Sequence, residues 1–263
     1  MSEAANSFNA FYAAQASSQT IRRIFRQAAG IDSLNKVFAP YSFLTMADMQ
    51  RVKTLLDLSN SQTFADVACG NGSIGLWLAE QTGANLTGVD ISSAAVAIAA
   101  DKAAELGIAD RAKFAVGNFE NTSLATESVD AAVSFDAVWL ATDQQVALKE
   151  LARILRSGSR FVFTSWEQHI PMPFVNHPVK DYRPLLAEAG FEIESYEYLP
   201  HSEQLMMTIY QQLRDSYEVL ISEMGAAIEG LIQEAHFVPG LIDGVNYISQ
   251  ENGPHVLIAA RKT

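Results

Sequence analysis

Gly70, Gly72 and Gly75 stand in the spacing G-x-G-x-x-G, and two acids bracket them. Asp66 lies four residues before Gly70, and Asp90 eighteen residues after Gly72. Between a strand and a helix, this spacing gives a tight turn, lets backbone approach a ligand closely and packs the helix near the strand. An acid at the end of the next strand can accept hydrogen bonds from both hydroxyls of an adenosine ribose. The chemistry such a set could serve is the binding of an adenosine-containing cofactor.

Asp90 does not choose between NAD and S-adenosylmethionine, because both carry that ribose. Asp66 does. A carboxylate beside a pyrophosphate is repelled, whereas a cationic methionine end is attracted, directly or through water. The acidity of the whole chain also suits a sulfonium better than a dianion. For proton transfer, the candidates near the ends of the fourth and fifth expected strands are Asp136, Glu167, His169 and, more distantly, His177. His169 is the first choice, since imidazole titrates near working pH. Asp136 is the second, with holding a loop or an acceptor as its other roles. No metal pattern is visible: Cys69 is the only cysteine, and His169, His177, His201, His236 and His255 never fall at i, i+4.

These residues need a frame, and the sequence supplies one. Apolar strand-like runs at 64–68, 86–90, 113–116, 129–134, 160–165, 191–198 and 255–260 alternate with helical patterns at 73–81, 93–106, 144–155 and 181–189. Such alternation predicts a mostly parallel sheet with helices on both faces. One apolar helix stripe, in one or two pieces, precedes it at 7–28 and stops at Gly30, and another runs over 46–58. A long helical stretch over 204–235 breaks the alternation, and 245–249 reads as a further strand-like segment before the turn Asn252-Gly253-Pro254. The predicted division is a helical cap at 1–58, a core at 63–199 and 245–263, and a helical insertion at 200–240 roofing an acceptor site, all within one domain.

Lys plus Arg number 18 against 30 Asp plus Glu, a net charge of −12. That opposes nucleic-acid backbone and anionic membranes as partners. One cysteine forbids an internal disulfide, and no basic n-region, leader or 20-residue apolar span is visible. The expectation is a cytoplasmic protein without membrane insertion, with a homodimer paired through its terminal helix as a candidate assembly.

The segment Phe64-Ala65-Asp66-Val67-Ala68-Cys69-Gly70-Asn71-Gly72 resembles the first motif of class I S-adenosylmethionine-dependent methyltransferases. Leu86–Ser92 resembles their second, Val116–Phe119 the adenine loop, Ser128–Asp136 the fourth-strand motif and 151–160 the turn before strand five. Asp181–Phe191 is similar to the branch acting on small molecules, the ubiquinone/menaquinone-type and bacterial natural-product enzymes. The resemblance implies a Rossmann-like α/β fold with a seven-stranded, mostly parallel sheet. It implies S-adenosylmethionine as donor and S-adenosylhomocysteine as product, held by Asp66, Ala68, Gly70, Gly72, Asp90, Ile91, Asn118, Phe119 and Phe135. Two positions depart from the pattern: Asn118 stands for the usual Asp, and Ala68 for the first glycine.

The implied function is methylation of a small, largely hydrophobic acceptor at O, N or C by in-line displacement, with alignment and exclusion of water as the main tasks. Sugar O-methyltransferases of the similar branch carry a His after strand four; here Val138-Trp139-Leu140-Ala141 has none. Aromatic and Met residues supply an apolar roof, among them Phe8, Phe11, Trp139, Trp166, Met172 and Phe174, with Tyr12 and Tyr41 as lids. The alternatives are an NAD(P)-dependent oxidoreductase, opposed by Asp66, and a cofactor-binding member that transfers no methyl group.

Overall fold

In a computed structural model, residues 3–170, 177–237, 249 and 251–263 are described. The sheet runs β1 (Thr63–Val67), β2 (Asn85–Asp90), β3 (Ala112–Val116), β4 (Val129–Phe135), β5 (Leu155–Trp166), β6 (Phe191–Tyr198) and β7 (His255–Lys262). Its strand order is β3-β2-β1-β4-β5-β7-β6. β7 is antiparallel to both neighbours and the other pairings are parallel. The expected seven-stranded Rossmann-like sheet is therefore present. β5 starts five residues before its apolar run, because Leu155 already pairs with Val129 ahead of a register shift.

Period-two alternation divides the core into two layers. Phe64, Leu86, Ala131 and Val133 face α3 (Met46–Leu56) and α4 (Ser73–Thr82). Ala65, Val67, Ala132, Phe161 and Phe163 face α6 (Gln144–Ile154) and α7 (Tyr182–Glu188). α5 (Ser93–Glu105) packs on β2 and β3, its small buried Ala95, Ala99 and Ala103 letting it lie close.

The remaining helices form a third cluster. The 7–28 stripe is two helices, α1 (Glu3–Ser17) and α2 (Gln19–Ala29). Ser18 separates them by capping α2 through Ile21 N, while its hydroxyl donates to Glu223. Gly30 ends α2 in the left-handed conformation, as its position predicted. The 204–235 stretch resolves into α8 (Ser202–Asp215), α9 (Tyr217–Met224), a 3-10 turn and α10 (Glu229–Phe237). Gly225, at φ +59, makes the break before the 3-10 turn. Buried Ile21, Ile24 and Phe25 of α2 belong with Ile209, Tyr210 and Leu213 of α8 and Leu231 and Ile232 of α10. Among the described residues no helix is long and apolar enough to cross a membrane. Of the expected segment 245–249 only Ser249 is a described residue, and Met172 and Phe174 lie outside them too.

Candidate active site

The loop after β1 and the ends of β2, β4 and β5 open into a cavity of about 500 Å³, covered by α1, α8 and α10. This is the carboxyl edge of the parallel strands, where open α/β sheets bind ligands. Asp66 reaches it from inside β1. Its carboxylate takes one hydrogen bond from the Gly75 backbone, while Oδ1 is buried and has no partner. A Cβ on Gly75 would lie 2.5 Å from Asp66 Oδ2, so the third glycine exists to let this acid sit against α4. Burial, and then the nearby Asp90 carboxylate, push Asp66 up to about 8. An orphaned buried acid beside a second acid is costly unless a cation completes it. The ammonium of a methionine moiety is such a cation.

Asp90 is better supported. Gly70 N donates to Oδ2 at 2.7 Å and Ser92 N to Oδ1 at 2.8 Å, which ties the glycine loop to the end of β2. Each oxygen keeps a lone pair for a ribose hydroxyl. Ala68 and Gly70 line the cavity with left-handed backbones, φ +62 and +52. Ile91, Asn118, Phe119 and Phe135 also line it. Asn118 Oδ1 is occupied by Asn121 N at 2.7 Å, which closes the loop after β3. Tyr12 of α1 covers the glycine loop: a Cβ on Gly70 would meet its hydroxyl at 2.4 Å.

Gly72 changes its meaning. It does not line the cavity; a Cβ there would meet Ala99 Cβ at 2.8 Å and Leu76 and Phe114 at 3.3 Å. With φ +74 as well, Gly72 is required by the packing of α4 on α5 and β3.

Both expected catalytic residues also change. Asp136 lines the cavity, but its Oδ2 accepts from Ser42 Oγ and Phe43 N, each at 2.8 Å, and its Oδ1 from Thr164 Oγ1 and His255 Nε2, each at 2.7 Å. Although burial opposes its charge, His255 and these donors hold its carboxyl down to about 2. An acid so fully engaged anchors the 42–43 loop and is a poor base. His169 is not in the cavity wall. Its Nδ1 meets Glu251 O at 2.8 Å and its Nε2 meets Glu167 Oε2 at 3.0 Å. Glu167 does line the cavity, yet Tyr196 and His169 take its two oxygens.

The other half of the cavity is aromatic. Phe43 packs edge-on against Trp166 and Tyr210, with ring centres 6.1 and 5.9 Å apart. Tyr41, Trp139 and Met206 extend this wall. Glu234 of α10, which the sequence reading did not single out, enters it: Tyr210 Oη donates to its Oε1 at 2.5 Å, and burial raises its carboxyl above the usual range. Only its distance in sequence from every motif hid it. Among the described residues there is no cluster of His, Cys, Asp and Glu that could hold a metal.

Residues 65–163 match the family model of the methyltransferase domain. Over that stretch the chain is similar to a methyltransferase domain. This segment holds Asp66, the glycine loop, Asp90 and Asp136. The chain is similar to the methyltransferase GfsG of Streptomyces halstedii, 31% identical over 105 residues, which are 40% of this chain and 38% of that one. It thus spans well under half the length of that curated relative. In fold it is similar to the [4+2]-cyclase SpnF, with a TM-score of 0.72 at 20% identity, covering 95% of this chain and 96% of that one. It is also similar to the geranyl diphosphate C-methyltransferase of Streptomyces coelicolor A3(2), solved with S-adenosyl-L-homocysteine, with a TM-score of 0.64 at 21% identity over 90% and 88% of the two chains. The stretch that matches the family model therefore sits within a Rossmann-like frame shared over nearly the whole chain.

Proposed function

We propose that this protein transfers a methyl group from S-adenosylmethionine to a small, largely hydrophobic acceptor. The observation that carries this reading is the orphaned Asp66 carboxylate beside Asp90, at the edge of a cavity whose other half is aromatic. S-adenosylmethionine supplies an already activated methyl group, so the chain's own tasks are binding, alignment and exclusion of water. In this reading Asp66 binds the ammonium, directly or through water, and Asp90 accepts the ribose hydroxyls. Ala68 and Gly70 bring backbone to the ligand, and Ile91, Asn118, Phe119 and Phe135 flank the adenine. Tyr12 closes over the loop. Residues 1–58 act as a cap and 200–240 as the roof of the acceptor half.

The similarity to a cyclase does not favour the non-transferring alternative, since it rests on fold alone, while the family match and GfsG point to transfer. NAD(P) is disfavoured by Asp66, which would face a pyrophosphate. The net charge of −12 supports an acceptor that is not a nucleic acid, and a cytoplasmic homodimer remains part of the proposal. Calorimetric titration with S-adenosylhomocysteine tests the cofactor assignment. Wild type should bind, and Asp90→Ala should bind about tenfold or more weakly with little change in melting temperature. Equal affinity would remove the ribose role. Transfer itself is read with methyl-labelled cofactor and a metabolite extract, where label must appear in a small organic product.

A further inference from the structure

The charges in the cavity wall are all of one sign. Asp66, Asp90, Glu120, Asp136, Glu167 and Glu234 line it, and among the described residues no Lys, Arg or His does. Most of these acids are already engaged. Backbone amides hold Asp90, four donors hold Asp136, and Tyr196 and His169 hold Glu167. Glu120 accepts from Thr142 N and Asp143 N in an exposed position beside the loop after β3. Two acids deeper in the molecule keep an oxygen that no described protein group meets. One is Asp66, in the cofactor half. The other is the half-buried Glu234 in the cavity wall, whose only hydrogen bond among the described residues is from Tyr210.

Glu234 is out of character with its surroundings. It belongs to a helix whose buried neighbours Leu231, Ile232 and Ala235 are apolar, and it faces a wall of Tyr41, Phe43, Trp166 and Tyr210. A carboxyl in such a place is unfavourable unless it is hydrogen-bonded, and Tyr210 supplies only one donor. Burial raises its proton affinity, and among the described residues no cation lies in the wall to offset its charge. An acceptor placing an O–H or N–H group against the second oxygen would satisfy it. An acceptor bringing a phosphate, diphosphate or carboxylate would instead meet a like charge with nothing to neutralise it.

The geometry points to Glu234 as the specificity-determining residue of the acceptor half: it receives a hydroxyl or amine on an otherwise apolar, non-anionic acceptor. This rests on the methyltransferase reading above and adds the class of acceptor to it. It also separates this chain from its structural neighbour that acts on geranyl diphosphate, an anion.

The test uses the full chain saturated with S-adenosylhomocysteine and four probes of one shape: 4-butylphenol, 4-butylbenzylamine, 4-butylbenzoate and butylbenzene. Affinities are read by calorimetry. The phenol and the amine should each bind about tenfold or more tightly than the benzoate, because a site built for a donor rejects an analogue that lacks one. Glu234→Gln keeps an oxygen for Tyr210 and removes the charge, so it should cut the preference for amine over benzoate to about a third or less. Its affinity for S-adenosylhomocysteine should not change. Benzoate binding as tightly as the amine to wild type would overturn the proposal without any variant. So would an unchanged preference in Glu234→Gln. Failure of S-adenosylhomocysteine to bind at all would instead strike the methyltransferase reading, and the same titration distinguishes the two.

Discussion

The carboxylate of Asp136 accepts a hydrogen bond from His255 Nε2 at 2.7 Å, joining the end of β4 to the start of β7 across 119 residues of sequence. His255 is fully buried, its Nδ1 meets Ser202 Oγ at 2.7 Å, and its ring stacks on Trp166 at 4.3 Å. Because Asp136 is ionised at neutral pH, Nε2 carries the proton it shares. The pair therefore ties β4, β7, α8 and the 42–43 loop together beneath the aromatic wall. Asp136→Asn puts an amide where four donors converge. We expect it to lower unfolding free energy by about 3 kcal/mol, the size of breaking a buried charged pair, measured by urea denaturation. The carboxyl is held below its unfolded value. Its contribution is thus present above about pH 4 and lost as pH falls toward about 2. A variant as stable as wild type at pH 7 would show the network to be dispensable.

His169 should be dispensable for chemistry. Its side chain is about one-third exposed and does not line the cavity, and both ring nitrogens are already engaged, Nδ1 with Glu251 O and Nε2 with Glu167. His169→Ala should keep turnover within about twofold of wild type. A lost general base typically costs on the order of a hundredfold or more. A loss of that size, in steady-state transfer to the native acceptor, would return His169 to the reaction.

The frame was legible because its signals are local. Strand runs, the glycine loop and the helix stop at Gly30 are each written within a few residues, and the structure reproduces them. The cavity's acids were legible where a motif carries them, as at Asp66 and Asp90, which both line it. They were illegible where partners are distant in sequence. Nothing near Asp136 announces His255, and nothing near Glu234 announces Tyr210 or the aromatic wall. At Gly72 the spacing requires a glycine but does not say which way its missing side chain would point, and in the structure that direction is toward Ala99.

If Asp66 holds the methionine ammonium, as proposed, cofactor binding should depend on pH. With its carboxyl at about 8, the free protein holds that proton at pH 7. A bound ammonium needs the ionised form, so binding should release on the order of one proton per cofactor, and affinity should rise with pH up to about 8. Calorimetry at pH 7 in two buffers of different ionisation enthalpy reads this directly. Asp66→Asn should abolish the release and weaken binding. The stability effect has the opposite sense: a raised carboxyl favours the folded free protein below about pH 4, and this advantage is lost as pH rises through about 8. No proton release at pH 7 would remove Asp66 from the ammonium site.

Gly72→Ala should fail through packing. The new Cβ would meet Ala99 at 2.8 Å with a left-handed backbone, and we expect a loss of about 1–3 kcal/mol in stability. Cofactor affinity per folded molecule should change little. A variant with wild-type melting temperature and lost cofactor binding would place Gly72 against the ligand after all.

The last prediction separates α1 from α2. The aromatic cluster near the start of the chain suggests a lid spanning residues 1–30, but the two helices are held differently. In α2, Ile21, Ile24 and Phe25 are buried, and the Arg26 guanidinium donates to the backbone carbonyls of Ile31, Asp32, Leu34, Asn35 and Phe38. That helix is part of the core. Several contacts of α1 fall on the cofactor loops. Asn9 Oδ1 accepts from Ser92 Oγ at 2.8 Å and Ala94 N at 3.1 Å, Asn71 Nδ2 donates to Gln15 Oε1 at 2.9 Å, and Tyr12 lies over Gly70. Deleting residues 1–17 should leave a cooperatively folding protein with weakened cofactor binding and much reduced turnover. Deleting residues 1–30 should abolish folding, since each large buried side chain removed costs about 2–5 kcal/mol against a total of about 5–15. Amide exchange should be slow in α2 with or without ligand, and should slow in α1 when S-adenosylhomocysteine is added. If the 1–30 deletion melts near the wild-type temperature, α2 is no core element; if exchange in α1 ignores the cofactor, α1 is no lid.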